Sequence, residues 1–161
     1  MKEESHDERI ERISRHLSRT GQLDRLQGFA HHGHTSVYDH VHTVSRIALR
    51  LNEKWGWNVD PDRLVRASLL HDYFLYDWHD KSHPHPRPHG FTHPKVAARN
   101  AHRDYGLDEW EIEAIHSHMF PLTPMPPKHR EGWLLTMADK MATWQELKQY
   151  WRKKLKRSPT A

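Results

Sequence analysis

A histidine and an aspartate stand next to each other at the end of an apolar run, where His71-Asp72 follows Leu69-Leu70. A carboxylate in apolar surroundings costs several kcal/mol unless it is paired with a cation or bound to a metal ion. The carboxylate oxygen and the imidazole nitrogen of such a pair can both bind one metal ion. The pair therefore predicts a metal site, provided that other segments of the chain supply further ligands.

Two other segments place a metal-binding side chain in apolar surroundings. In residues 36–54 apolar residues recur at helical spacing, and His40 falls within that stripe, whereas His42 is predicted to point outward. Residues 133–142 are apolar almost all round, which predicts burial, and Asp139 lies in their middle. Mixed His and Asp ligands favour Fe, Mn, Zn, Co or Ni over Ca or Mg. The expected cofactor is therefore one or two divalent transition metal ions.

The elements that must position these residues are predicted to be helices throughout. Apolar spacing and capping residues predict helices over residues 3–19, 36–54, 61–72, 92–105, 108–118 and 128–155. Residues 22–35 are expected to be mostly loop, and the long Pro/His/Gly-rich loop 76–92 is a candidate lid or site wall. No strand pattern and no internal repeat is found. The fold class is predicted to be all-α, a single-domain bundle of about six or seven helices.

Composition excludes several classes of protein. The 161 residues suit one domain, and the absence of cysteine excludes disulfides and thiolate metal sites. No apolar segment approaches the ~18 residues of a membrane span, and the N-terminus has no signal-peptide core, so we expect a cytoplasmic protein without a membrane partner. The net charge of +4 is mild and argues against a nucleic-acid partner. Homo-oligomer formation is left open.

Three parts are expected along the chain. Residues 1–35 form an N-terminal helix and loop that pack on the core, residues 36–145 form the core itself, and residues 146–161 form the basic end of the last helix and a tail. Near this basic end we predict that Trp144, Tyr150 and Trp151 pack in the core or between helices rather than bind nucleic acid.

The order His…His-Asp…Asp on successive helices resembles the HD-domain superfamily of metal-dependent phosphohydrolases. His40, His71-Asp72 and Asp139 carry this resemblance, which covers residues 36–145 approximately. It implies an all-α, HD-domain-like bundle and an enzyme that cleaves a phosphate ester or anhydride, as a phosphomonoesterase or phosphodiesterase. The expected substrate is a phosphorylated small molecule, a nucleotide by that resemblance, and iron and manganese are among the expected metals.

Two further histidines resemble the additional ligands of HD proteins that hold two metal ions. The step His93-Pro94 and the spacing Ile115-x-x-His118 match that pattern. By this resemblance His93 and His118 hold a second ion and Asp72 bridges the two ions. The alternatives are that His93 only begins a helix and that His116 takes the place of His118.

The resemblance implies that a metal-activated water attacks phosphorus, with Asp72 as the catalytic ligand. Candidates for contact with the substrate phosphate are Lys140, Lys95 and Arg99, together with the loop residues Lys81, Arg87, Lys128 and Arg130. For all of them except Lys140, the favoured alternative is an ordinary solvated cation. The segment Tyr73-Phe74-Leu75 follows Asp72, so the Gly-Tyr-Pro extension of cyclic-dinucleotide phosphodiesterases is absent. The alternative functions are a non-catalytic metal- or nucleotide-binding signalling module and a di-iron oxygenase on the same scaffold.

Overall fold

The computed structural model describes residues 3–82 and 88–157 of the chain. Its helices are α1 (His6–Thr20), a 3₁₀ helix (Leu23–Gly28), α2 (Val37–Trp55), α3 (Pro61–Leu70), α4 (His89–Tyr105), α5 (Glu109–Ser117) and α6 (Arg130–Arg157). No β-strand occurs within these two ranges, so the prediction of an all-α bundle is confirmed. In the same part of the chain, no helix is both long and apolar enough to cross a membrane.

Capping residues fix where several helices begin, as the sequence predicts. Asp60 accepts a hydrogen bond from the backbone N–H of Arg63, and Pro61 occupies the first position of α3. Asp108 and Glu111 form a reciprocal capping box at the start of α5. These caps satisfy N–H groups that have no partner within the helix.

The predicted start of α4 at residue 92 is wrong by about one turn, because the helix begins at His89. The backbone N–H groups of Phe91 and Thr92 both donate to the carbonyl of Pro88, so a helical turn precedes Pro94. Pro94 therefore lies inside the helix, where it removes one backbone hydrogen bond. The segment 22–35, predicted as mostly loop, contains the 3₁₀ helix.

Helix α2 lies at the centre of the bundle and packs against α3 on one side and α6 on the other. Val41, Leu64 and Leu134, one from each of these helices, are completely buried. The prediction that His42 points outward is wrong. Its Nε2 lies 2.9 Å from the Ser14 hydroxyl, because α1 covers this face of α2, and sequence periodicity alone does not reveal such a cover.

The last helix is less buried than the sequence suggests. Trp133 is 36% exposed, although residues 133–142 were expected to be buried all round. Trp144 and Trp151 are 63% and 53% exposed, so the prediction that they pack inside is also wrong. Helix α6 is longer than the bundle that it packs against, and residues 151–157 are all exposed. Large apolar side chains near its C-terminal end therefore find no neighbouring helix to cover them.

A buried asparagine braces the chain directly after His71-Asp72. The side-chain amide of Asn100 on α4 donates to the carbonyl oxygens of Tyr73 and Phe74, at 3.3 and 3.1 Å. Asn100 is only 8% exposed. These two hydrogen bonds connect α4 to the backbone that carries the His-Asp pair.

We predict that Asn100→Ala lowers the free energy of unfolding by about 1–3 kcal/mol, because it leaves two buried carbonyl groups without their donor. Urea denaturation followed by circular dichroism measures this change. Arg99→Ala, at the neighbouring exposed position, is the matched control and should shift stability by less than about 0.5 kcal/mol. Equal effects of the two substitutions would contradict the bracing role of Asn100.

Candidate metal centre

Asp72 lies in the middle of a buried cluster of imidazoles and carboxylates. His71 caps the C-terminal end of α3, and Asp72 is the next residue, so the pair enters the core where that helix ends. His40 and His71 are completely buried, and Asp72 and Asp139 are 4% and 7% exposed. The two oxygens of the Asp72 carboxylate face two different groups of side chains.

The first side of the centre consists of His40, His71 and Asp139 around Asp72 Oδ2. The Nε2 atoms of His71 and His40 lie 3.5 and 3.8 Å from that oxygen. The same two Nε2 atoms lie 3.5 and 2.9 Å from Asp139 Oδ1. Donors of adjacent ligands on one ion at ~2.1 Å lie about 3.0–3.4 Å apart. The four side chains are therefore close to the spacing of a ligand set.

The second side consists of His93 and His118 around Asp72 Oδ1. Their Nε2 atoms lie 3.2 and 3.7 Å from this oxygen. The two Nε2 atoms are themselves 3.1 Å apart. His93 lies on α4 and His118 directly follows α5. The side chains of the first side come instead from α2, the end of α3 and α6.

Every imidazole of the two sides has its Nδ1 occupied by an acceptor. The acceptors are the Glu146 carboxylate for His40 (2.8 Å), and the carbonyl oxygens of Ser68 for His71 (2.7 Å), His89 for His93 (2.8 Å) and Ile115 for His118 (2.7 Å). A carbonyl or carboxylate oxygen only accepts, so each Nδ1 must carry the proton. In a neutral imidazole with a protonated Nδ1, the Nε2 atom keeps a free lone pair. In these four residues Nε2 points towards Asp72 or Asp139. This is the tautomer that metal-binding histidines require.

Helix ends supply two of these acceptors. His71 and His118 are the residues that follow α3 and α5, and both have helical backbone angles. Each imidazole donates to the carbonyl three residues earlier, in the last turn of its own helix. Such carbonyls lack a partner within the helix, so the imidazoles satisfy the helix end and are oriented by it at the same time.

The charges in the cluster shift several pKa values. Burial alone would lower the pKa of His40, but hydrogen bonds with Asp139 and Glu146 outweigh burial and raise it to about 10. For a carboxyl group, burial acts in the other direction and would raise the pKa of Asp72 and Asp139. The neighbouring imidazoles outweigh burial and hold both pKa values well below the usual carboxyl range. Both carboxylates are therefore charged at neutral pH, which favours a bound cation.

On the second side, the pKa of His118 is lowered, whereas that of His40 on the first side is raised. Burial, together with the charges of His71 and His93, lowers the pKa of His118 to about 3. His118 is therefore a neutral imidazole at physiological pH. A neutral Nε2 is the form that binds a metal ion.

Two buried atoms give a direct test of whether a metal ion fits. His71 Nε2 and Asp72 Oδ1 have no hydrogen-bond partner in the part of the chain that the structure describes. Buried polar atoms without a partner are rare and costly in folded proteins. Several groups of these side chains, His40 with His71 and Asp139 among them, bring their ligand atoms within 4.8 Å of one another. The donor set fits a divalent transition metal ion on each side of Asp72.

Sequence reasoning missed two residues of this cluster, His31 and Glu146. His31 Nε2 lies 3.7 Å from Asp72 Oδ2, and its Nδ1 lies 2.9 Å from Glu146 Oε2. His31 belongs to the run His31-His32-Gly33-His34 in a segment predicted as loop, which gave no periodicity to show that one of its histidines points inward. Glu146 falls on α6 seven residues after Asp139, two helical turns away and so on the same face, and this spacing was a signal that could have identified it.

The predicted phosphate-binding residues lie in different places. Lys140 lines the cavity beside Asp139, and its Nζ donates to the His118 carbonyl at 3.2 Å. Lys95 and Arg99 are exposed on α4 and do not line the cavity. Seen from His93 on the same helix, they lie roughly 200° and 240° away around the axis, so the structure does not bring them to the cluster.

The loop cations are also remote or outside the described residues. Lys128 and Arg130 line a different surface cavity together with Trp57. Lys81 is exposed and does not line the cavity beside Asp72, and Arg87 lies outside the described residues. His116, the alternative to His118, is exposed on α5.

A cavity of about 890 Å³ opens directly above the cluster. Asp72, His93, His118 and Asp139 form part of its wall, and so does His31. The remaining wall is largely apolar and aromatic, with Trp78, Met119, Pro121, Leu122, Trp144 and Leu147. The candidate ligands therefore lie at the base of a cavity that could admit a small molecule.

Comparison with known proteins identifies the family. The family model described as HD domain matches residues 37–144, which is more than half of the chain. No curated protein and no solved structure matches the chain significantly. The matched segment contains His40, His71-Asp72, His93, His118 and Asp139. The chain therefore belongs to the HD domain family, the superfamily of HD metal-dependent phosphohydrolases.

Proposed function

We propose that this protein is a metal-dependent phosphohydrolase that cleaves a phosphate ester or anhydride of a nucleotide, with water as the nucleophile. The observation that carries the proposal is the opposite orientation of the two Asp72 oxygens. One oxygen faces His40, His71 and Asp139, and the other faces His93 and His118. This arrangement supports a site for two divalent ions, in which each oxygen of Asp72 would be available to one ion.

The chemistry of the ligands supports a transition metal at both positions. Imidazole nitrogen and carboxylate oxygen together suit Fe, Mn, Zn, Co or Ni better than Ca or Mg. Bound ions of this kind lower the pKa of water from 15.7 towards ~7 and polarise a phosphoryl oxygen. The residues of the chain hold the ions, exclude bulk water at the base of the cavity and orient the substrate.

Lys140 is the residue that we propose for contact with the substrate phosphate. Among the described residues that line the cavity, it is the one lysine, and none of them is an arginine. Burial lowers its pKa, while the neighbouring charge of Asp139 acts in the opposite direction. Beyond the proposed ions, the described lining residues offer one lysine and no arginine. This suits a substrate with a single phosphate group better than a polyphosphate, which would carry further negative charge into the cavity.

The apolar part of the cavity supports an organic group with a flat, apolar face. The indole rings of Trp78 and Trp144 are both in the wall, and Trp78 lies parallel to His89 at 4.9 Å. Stacking of an aromatic side chain on a nucleobase contributes about 1–3 kcal/mol per base to binding. We therefore favour a nucleoside monophosphate, with its base against the aromatic wall and its phosphate beside Lys140 and the ions.

Metal content tests the ligand assignment. We predict about two transition metal ions per wild-type chain and about one in His93→Ala or His118→Ala, because these substitutions remove ligands from the second side only. Elemental analysis of the purified chain by mass spectrometry measures the ratio. His116→Ala, which changes an exposed histidine in the last turn of α5, is the control and should keep both ions. A wild-type chain without metal would contradict the whole assignment.

A substrate panel tests the reaction. We predict hydrolysis of nucleoside monophosphates at a higher kcat/KM than of nucleoside triphosphates or glycerol phosphate, and loss of activity in Asp139→Ala, which removes a ligand of the first side. Lys140→Ala should raise KM about 10- to 100-fold, because a hydrogen bond to a charged group contributes about 1.5–3 kcal/mol. Lys95→Ala, exposed and away from the cavity, should leave KM unchanged.

Two outcomes of this panel point to another function. A chain that binds metal and nucleotide but hydrolyses no phosphate in the panel is a non-catalytic binding module. Hydrolysis that survives Asp139→Ala means that the reaction occurs elsewhere in the molecule.

A further inference from the structure

His31 and Glu146 flank the candidate metal centre from outside the segment that matches the HD domain, which spans residues 37–144. His31 lies in the loop before α2, and its side chain is 11% exposed. Glu146 on α6 is 8% exposed. Two largely buried polar side chains that are aimed at the centre, yet lie outside the family segment, require an explanation of their own.

The loop that carries His31 is held firmly against the bundle. The His31 N–H donates to the Thr35 carbonyl at 2.7 Å, and the Val37 N–H donates to the Phe29 carbonyl at 2.8 Å. Gly33 at the tip has a φ of +63°, and a Cβ at this position would lie 2.7 Å from the ring of Tyr150. The loop therefore packs closely on α6, one turn beyond Glu146.

Glu146 holds two imidazoles at once. Its Oε2 accepts from Nδ1 of His31 at 2.9 Å, and its Oε1 accepts from Nδ1 of His40 at 2.8 Å. The two imidazoles are therefore held in the same orientation, with Nδ1 towards Glu146 and Nε2 towards Asp72. Since Nδ1 of His31 carries the proton, Nε2 of the neutral imidazole is an acceptor.

The two rings are stacked, with centroids 3.7 Å apart and planes within 17° of parallel. His31, His40 and Asp72 bring their ligand atoms within 4.8 Å of one another, so His31 lies close enough to belong to a ligand group. An imidazole binds a metal ion in the plane of its ring. Because the two planes are nearly parallel, the Nε2 lone pairs point side by side and not towards one point. This favours a role for His31 beside the His40 ligand, at the wall of the cavity, over a shared ion.

We propose that His31 is a further catalytic residue, whose Nε2 accepts the hydrogen bond and then the proton of the water that attacks phosphorus, with Glu146 as its positioning residue. This inference rests on the phosphohydrolase function proposed above. A hydrogen bond of about 2.6–3.2 Å from Nε2 reaches the space beside the His40 and Asp72 ligands, where the water must lie.

In the proposed step, the water oxygen forms the new bond to phosphorus, and the ester P–O bond breaks with its electron pair going to the leaving oxygen. The proton of the water passes to Nε2 of His31, while Nδ1 keeps its own proton and its hydrogen bond to Glu146. His31 then releases the added proton to solvent, and the leaving oxygen takes up a proton from solvent.

The test compares His31→Gln and His31→Ala with the wild-type chain and with His42→Gln. His42 is a half-buried histidine on α2 that hydrogen-bonds Ser14 and lies outside the cavity. The substrate is p-nitrophenyl phosphate together with the nucleoside monophosphates of the panel above. Metal content and the visible spectrum of the Co²⁺-loaded chain are recorded for each variant, with circular dichroism to verify folding.

The expected result for both His31 variants is a decrease in kcat of about 100-fold or more, with KM within about twofold of wild type. Their metal content and Co²⁺ spectrum should stay as in the wild-type chain, and His42→Gln should be normal in every measurement. If His31→Ala fails to fold, the result for His31→Gln decides.

Two results would overturn the inference alone. Unchanged kcat in a folded His31 variant of an active enzyme removes the catalytic role. Loss of an ion, or a changed Co²⁺ spectrum, makes His31 a ligand instead of a base. A wild-type chain that hydrolyses none of the phosphates overturns the proposed function, and this inference fails with it.

Discussion

The burial of two carboxylates, Asp72 and Asp139, among apolar helices is the constraint on which the rest of the structure depends. A buried charge without compensation costs several kcal/mol. Here the compensation comes from imidazoles whose Nε2 atoms lie between 2.9 and 3.8 Å from the carboxylate oxygens. Even so, His71 Nε2 and Asp72 Oδ1 have no hydrogen-bond partner among the described residues, which is the deficit that a metal ion would remove.

The imidazoles in turn depend on acceptors behind them. For His71 and His118 the acceptor is a carbonyl in the last turn of the helix that each residue follows, so the position of the helix end determines the direction of Nε2. For His31 and His40 the acceptor is Glu146, which lies two helical turns after Asp139 on α6. One face of α6 therefore carries both a candidate ligand and the carboxylate that orients two imidazoles. A rotation of this helix would disturb both functions together.

The matched family segment and the functional cluster do not have the same limits. Residues 37–144 contain the candidate ligands of both sides, while His31 precedes this segment and Glu146 follows it. The two residues meet because the loop with Gly33 at its tip packs on Tyr150 of α6. The cavity above the cluster likewise combines residues of the family segment with Leu147, which lies after it.

Much of the fold could be predicted from the sequence, because helices follow from local patterns. Asp60-Pro61 and the Asp108–Glu111 box act on neighbouring residues, and the structure confirms both starts. The inward direction of His40 followed from its place in an apolar stripe, and it is completely buried. In contrast, the outward direction predicted for His42 and the burial predicted for Trp144 were wrong, since both depend on whether another helix covers that face.

The sequence by itself determined the helical class and the residue types that could bind metal, because spacing along one helix decides which side chains share a face. The order of His40, His71-Asp72 and Asp139 indicated the family by resemblance. Only the tertiary structure decided that the two oxygens of Asp72 face different imidazoles, that Lys140 and not Lys95 lines the cavity, and that His31 stacks on His40. These relations join residues on different elements. Their distances depend on how helices and loops pack in three dimensions, and periodicity within one segment carries no information about that packing.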